Sequence, residues 1–126
     1  WYLDWLSGDV ESARQKLELF SADKIERDDI DVIYSVGNFA DLATVCMAQG
    51  DLECARQSIE YGKRGAATSP AHPWAFFIQV VEAEYLFRTN QRDRARVLAR
   101  SVLTEIESKF PTRTEDIRRA RAIIDS

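Results

Sequence analysis

An internal repeat is the feature of this sequence that most restricts its fold. The segment GDVESARQKLE, which starts at Gly8, aligns without a gap with GDLECARQSIE, which starts at Gly50, and the two agree at seven of eleven positions. A weaker third copy starts at Asn90 and again carries Ala and Arg five and six residues further on. The copies lie 42 residues (50 minus 8) and 40 residues (90 minus 50) apart. A period of this length, built from two helices, is typical of an α-solenoid.

Glycine and proline mark the boundaries of the repeats. The chain has only five glycines and three prolines, and this scarcity favours helices over many short strands. Gly8, Gly50 and Asn90 all tolerate the left-handed backbone conformation that ends a helix, so we expect them to form the same turn in each repeat. Pro70 and Pro73 interrupt helical hydrogen bonding and separate two hairpins.

Apolar residues recur at intervals of three and four, which is the period of an amphipathic helix. They are Val10, Ala13, Leu17 and Phe20, then Phe39, Leu42, Ala43 and Cys46, then Leu52, Ala55 and Ile59, and finally Ala95, Leu98, Val102 and Ile106. The pattern predicts an all-α chain with helices over 1–7, 10–22, 30–49, 52–67, 74–89 and 92–109 and a polar linker over 23–29. Thr112 and Glu115 predict a capping box for a last helix over 114–124.

The central repeat resembles the tetratricopeptide repeat, a family of paired helices. The matching residues are Phe39, Leu42, Ala43, Gly50, Ala55 and Ile59, whereas Gly62 stands where the family has a late alanine. The repeats here are longer than the usual length of about 34 residues. They are similar to the long variants in helical regulatory domains of bacterial signalling proteins.

The resemblance implies a right-handed α-α superhelix with a C-terminal helix, in one domain over residues 1–126. It divides the chain into a half repeat (1–22), a repeat (30–67), a second repeat (74–109) and a C-terminal helix (114–124). The chain opens on Trp1 instead of Met, with Trp5 and Leu6 close behind, so we expect a fragment of a longer protein. Its uncovered first helix would then promote self-association.

Composition excludes several classes of function. The net charge of −4 argues against nucleic-acid binding, which needs a basic surface. No apolar run approaches the roughly 20 residues that span a bilayer, so we expect no membrane partner. Cys46 and Cys54 are too few for a disulfide scaffold and are predicted to be free thiols within helices, which favours a cytoplasmic location.

Residues suited to catalysis are scarce. No phosphate-binding loop, nucleophile elbow or metalloprotease motif occurs, and His72 is the only histidine, in a predicted solvated loop. The acidic run at 28–31 fits a helix N-terminus, and Glu82 and Glu84 are two residues apart, so they point to different sides of one helix. The sequence therefore predicts no enzyme, no cofactor and no metal site.

Arginines are concentrated in the last third of the chain. They are Arg88, Arg92, Arg94, Arg96, Arg100, Arg113, Arg118, Arg119 and Arg121. A patch of this kind can bind phosphate or an acidic peptide. The favoured interpretation is that they pair on solvated faces with the neighbouring carboxylates Asp93, Glu105, Glu107, Glu115 and Asp116.

The resemblance also implies a concave groove lined by the first helix of each repeat. Its predicted positions are Gly37, Ala40, Thr44, Met47 and Ala48 in the central repeat and Phe77, Val80, Glu84, Phe87 and Arg88 in the last. The candidate binding residues are Thr44, Met47, Phe77, Glu84, Phe87 and Arg88, and the expected ligand is a peptide or protein segment. Three alternatives stay open: burial of Met47, Phe77 and Phe87 between the hairpins, a purely architectural segment, and a small-molecule sensor.

Overall fold

The computed structural model describes residues 1–26 and 33–126, with the side chains of 24–26 and 34 left aside. Over this part the chain forms seven α-helices and no strand, which confirms the all-α class. They are α1 (Tyr2–Leu6), α2 (Val10–Glu26), α3 (Ile33–Ala48), α4 (Leu52–Ala66), α5 (Pro73–Arg88), α6 (Arg92–Lys109) and α7 (Thr114–Ile124). The acidic run at 28–31 and the predicted start of a helix at residue 30 lie outside the described residues.

One predicted boundary and one predicted cap are wrong, whereas the last helix has its predicted bounds, 114–124. Helix α2 continues to Glu26 through the first part of the predicted linker, because no glycine or proline stops it and Lys and Glu are good helix formers. The capping box at Thr112 does not form, since α7 begins at Thr114 behind Arg113 and its N-terminus has no side-chain cap. The Arg113 side chain instead donates from Nε to Asp116 Oδ2 at 2.5 Å.

The three repeat turns share one geometry. Gly8, Gly50 and Asn90 have φ angles of 86°, 75° and 64°, in the left-handed region that ends helices. After each of them an N–H group donates to the carbonyl five residues back. These bonds are Asp9 to Asp4 at 2.8 Å, Asp51 to Cys46 at 2.9 Å and Gln91 to Leu86 at 2.9 Å. The expectation that the three positions form the same turn is confirmed.

The helices stack as successive hairpins in a helical-repeat-like array. Each helix packs on the next along the chain, and in addition α3 contacts α5 and α5 contacts α7. The repeat alanines Ala13, Ala55 and Ala95 are fully buried. A methyl side chain at these positions lets the two helices of a hairpin approach closely.

Gly62 is explained by the same close packing. A Cβ atom at this position would lie 2.6 Å from Cδ1 and 2.9 Å from Cγ1 of Ile78, so α5 occupies the space that an alanine methyl would need. The preceding residue, Tyr61, contacts α3 instead, where its ring stacks on Phe39 with centroids 5.1 Å apart. The departure from the family pattern at Gly62 therefore marks the contact between α4 and α5.

The two cysteines are joined in a disulfide, so the prediction of free thiols is wrong. Cys46 lies four residues before Gly50 and Cys54 four residues after it, and the turn brings their Cα atoms to 5.9 Å. Disulfides are typical of proteins outside the reducing cytoplasm. The argument from free thiols therefore no longer supports a cytoplasmic location, which stays a prediction.

Several apolar side chains at the N-terminal end of the array are exposed. They are Tyr2, Leu3, Leu6, Leu19 and Phe20. Phe20, which belongs to the predicted apolar face of α2, is 56% exposed, because this helix packs only on α1 and α3 within the described part of the chain. Trp1 and Trp5, in contrast, pack partly buried against the main core. Self-association through this end stays a prediction.

Candidate functional site

A groove with a volume of about 810 Å³ runs across α1, α3, α5 and α7. Groove positions were predicted on α3 and α5, whereas the contributions of α1 and α7 were not predicted. Helices α1, α3 and α5 contribute Trp1, Tyr2, Trp5, Gly37, Asp41, Thr44, Met47, Ala48, Trp74, Phe77, Glu84 and Arg88. Helix α7 adds Arg113, Glu115, Asp116, Arg118, Arg119 and Ala122. This set of residues is called the groove below.

Five of the six candidate residues line the groove, and Phe87 does not. The ring of Phe87 faces α6, where the Arg92 guanidinium carbon lies 4.9 Å from its centroid. Ala40 and Val80 are fully buried and also lie outside the groove. Their assignment was wrong because they face the interhelical packing of α3 and α5.

The apolar floor of the groove is largely buried. Met47 is 3% exposed and Phe77 is 9% exposed, so burial between hairpins describes these two side chains well. Trp74 covers Gly37, whose Cβ position would lie 3.6 Å from the indole ring. The part of the groove that a ligand can reach therefore consists mainly of polar groups and indole rings. The side chains of Met47 and Phe77 lie buried beneath them.

Arg119 is the central side chain of the groove. Its guanidinium pairs with both carboxylate oxygens of Glu84, at 3.1 Å for the bond from Nε. It also donates to Thr44 Oγ1 at 3.0 Å, and its Cζ lies 5.3 Å from the centroid of Phe77. One arginine from α7 thus holds α3 and α5 together. The pattern of surface arginines gave no sign of this, because the partners are 35 and 75 residues away along the chain.

The neighbouring charges on α5 have separate roles. Glu82 pairs with Lys63 of α4 at 2.8 Å, whereas Glu84 faces the groove, which confirms that the two point to different sides. The exposed side chain of Arg88 donates to the backbone carbonyl of Met47 at 3.1 Å. This carbonyl belongs to the last turn of α3, where helices favour cations.

Four further arginines in the last third of the chain pair with the predicted carboxylates. The pairs are Arg113 with Asp116, Arg118 with Glu115, Arg121 with Glu107 and Arg96 with Asp93. Glu105 pairs with a lysine, Lys109, instead of an arginine. The predicted pairing is therefore confirmed for these residues, but Asp116 is buried and does not lie on a solvated face. Arg119, in contrast, pairs with a carboxylate of another helix that was not among its predicted partners.

Asp41 is the one carboxylate of the groove without an ion pair or hydrogen bond to any described residue. It lies on α3, one helical turn beyond Gly37. Burial raises the pKa of Asp41 to about 6, against the lowering effect of the Arg119 charge and with a further rise from Asp116. Asp41 was not among the predicted site residues, because a single acid on a helix carries no local signal.

The raised pKa of Asp41 predicts a pH-dependent stability. The folded protein binds this proton more tightly than the unfolded chain, whose value is near 3.8, so stability falls as pH rises from about 4 to about 6. We expect Asp41→Asn to raise the free energy of unfolding at pH 7 by on the order of 2 kcal/mol and to have little effect at pH 4. Urea denaturation from pH 4 to pH 8 measures this difference. A gain in the free energy of unfolding that is the same at pH 4 and at pH 8 would contradict the raised pKa of Asp41. Glu115→Gln is the control variant.

His72 has a structural role that the sequence did not predict. Its Nδ1 accepts a hydrogen bond from the Trp74 N–H at 3.1 Å, so it caps the N-terminus of α5. The two rings lie 5.2 Å apart. The prediction of a merely solvated loop histidine is wrong, because Pro73 at the first helical position places the preceding side chain over the open N–H groups.

The described residues contain no group of three His, Cys, Asp or Glu side chains that could hold a metal ion. Likewise, no helix within the described ranges is long and apolar enough to cross a membrane. No protein-family model, no curated protein and no solved structure matches the chain. The relationship to the tetratricopeptide repeat therefore stays a prediction.

Proposed function

We propose that the chain is a non-catalytic interaction module that binds an extended protein segment in the groove. The observation that carries this proposal is the convergence of four helices from successive repeats on one surface with polar rims. The proposal includes a single right-handed superhelical domain of the tetratricopeptide type. Its placement in a regulatory region of a bacterial signalling protein follows from the resemblance alone.

The dimensions of the groove suit an extended segment. Packed helices lie 8–10 Å apart, so α3, α5 and α7, which contact one another in turn, span roughly 16–20 Å. Helix α1 lies beyond α3 and extends the row to at least roughly 24 Å. An extended chain advances about 3.3 Å per residue, which corresponds to a segment of about seven residues or more. A ligand of this length touches several repeats at once, which is how helical-repeat proteins use their concave surfaces.

The test is the selection of peptides from a randomised nonapeptide display library on the immobilised protein. Ala122 is exposed on the groove side of α7, and Ala122→Arg fills the groove without entering the core. We expect this change to weaken the selected peptides at least tenfold. The matched control is Val97→Arg on the exposed face of α6, which we expect to leave affinity unchanged.

Two outcomes of this test would contradict the proposal. If Ala122→Arg were silent and Val97→Arg abolished binding, the ligand surface would lie on α6 instead. If the library yielded no binder, the architectural interpretation would take the place of the interaction module. Phe87→Ala serves as an internal check, because Phe87 lies outside the groove and its loss should leave affinity unchanged.

A further inference from the structure

The charges of the groove are nearly balanced in pairs. Glu84 pairs with Arg119, Asp116 with Arg113, and Glu115 with Arg118. Two groove charges form no ion pair with a described residue. They are Asp41, which is negative, and Arg88, which is held by the Met47 carbonyl.

These two charges are separated along α3. Asp41 and Met47 are six residues apart, which corresponds to about 9 Å along the helix. The positive charge of Arg88 at the far end of α3 therefore does not neutralise Asp41. A ligand entering near Asp41 meets a carboxylate whose hydrogen-bonding capacity is unused.

Indole rings line the same groove as Asp41. Trp74 packs over Gly37, one helical turn before Asp41 on α3, and Trp5 lines the same groove from α1. The faces of indole rings attract ammonium and guanidinium groups, and the attraction is strongest where water is displaced. A carboxylate beside such rings is complementary to a cation on an apolar stem.

The groove already contains this arrangement once. The Arg119 guanidinium lies on the Phe77 ring and pairs with the Glu84 carboxylate. Asp41 and Trp74 offer the same two elements, a carboxylate and an aromatic face, but no described cation forms an ion pair with Asp41. The Arg119 charge acts on Asp41 only from a distance, because its guanidinium is bound to Glu84 and Thr44. The site at Asp41 is thus like the site at Glu84 without its arginine.

From this juxtaposition we infer that Asp41 and Trp74 form a subsite for an arginine or lysine side chain of the bound segment. The inference rests on the proposed function and specifies its ligand. The stem of the basic side chain lies on the indole and its charged head pairs with the Asp41 carboxylate. The partner is therefore a basic segment, which also suits the net negative charge of the protein.

The experiment uses four nonapeptide pools whose central residue is fixed as arginine, lysine, citrulline or glutamate and whose other positions are randomised. Fluorescence polarisation measures the binding of each pool. We expect the arginine and lysine pools to bind about tenfold more tightly than the citrulline pool, because the charge-assisted contact is lost in citrulline. The glutamate pool should bind most weakly.

Asp41→Asn is expected to abolish the preference for arginine over citrulline. This variant retains the shape of the side chain and removes a destabilising buried charge, so it should fold at least as well as the parent protein. The matched control is Glu53→Gln, which removes one negative charge from an exposed, paired position on α4, outside the groove. It should leave the preference within twofold of the parent value.

Each outcome decides the inference. Equal binding of the arginine and citrulline pools, with both sensitive to Ala122→Arg, would leave segment binding standing and remove the basic subsite. A preference that survives Asp41→Asn would place the cation elsewhere. Free N-acetylarginine amide can also be tested as a competitor. If it displaced the labelled peptides as strongly as the arginine pool does, the site would bind a small cation instead of a segment. Failure of every pool to bind would overturn the proposed function together with the inference.

Discussion

Ala55→Leu is expected to lower the free energy of unfolding by about 2–3 kcal/mol. Ala55 is fully buried at the crossing of α3 and α4, and it is the alanine that recurs in all three copies of the repeat. Three additional carbon atoms have no space there, so the hairpin must open or its side chains must leave their preferred rotamers. Thermal and urea denaturation measure the loss.

Gln57→Leu is the matched control for Ala55→Leu. It adds the same side chain to the same helix at an exposed position, where we expect a change within about 0.5 kcal/mol. If Ala55→Leu were as stable as the parent protein, Ala55 would not lie at a close helix crossing, and the common structure of the three repeats would be wrong.

Arg119→Met is expected to destabilise the protein by about 3 kcal/mol. The side chain of Arg119 is 13% exposed, and its loss leaves the Glu84 carboxylate without a partner and removes the bond to Thr44. Helix α7 should then loosen first. Hydrogen exchange of the amides of α7 should increase more than that of α3 and α4.

Two variants control for the effect of Arg119→Met. Arg118→Met removes an exposed arginine, paired only within α7, and should cost less than about 0.5 kcal/mol. The double change Arg119→Met with Glu84→Gln should recover part of the loss, because it removes the unpaired carboxylate as well. An Arg119→Met protein as stable as the Arg118→Met protein would show that the groove is not held together by this side chain.

The helices and turns were largely predictable because their signals are local. Gly8, Gly50 and Asn90 mark the turns, since each needs a left-handed backbone, and Ala13 and Ala55 mark the helix crossings. The extension of α2 to Glu26 and the exposure of Phe20 were not predictable. The first depends on the absence of a stop signal, and the second on which neighbours cover the helix.

Part of the groove was predictable in position but not in chemistry. The resemblance to the tetratricopeptide repeat placed Thr44, Met47, Phe77, Glu84 and Arg88 in it, but none of the residues of α1 and α7. Pairing between distant residues decides what these side chains do. The bond from Arg119 to Thr44 spans 75 residues, and the disulfide between Cys46 and Cys54 requires the exact geometry of the turn. Asp41 became a candidate only once its neighbours were known.

Chemical-shift mapping tests the central claim, that α1, α3, α5 and α7 together form the ligand surface, most directly. The measurement is a ¹H–¹⁵N titration of the labelled protein with a nonapeptide selected from the display library. We expect saturable shifts at Gly37, Asp41, Ala48, the Trp74 indole and Ala122, with the outward faces of α4 and α6 unaffected. Shifts concentrated around Arg56, Arg94 and Val97, with the groove signals unchanged, would contradict the account.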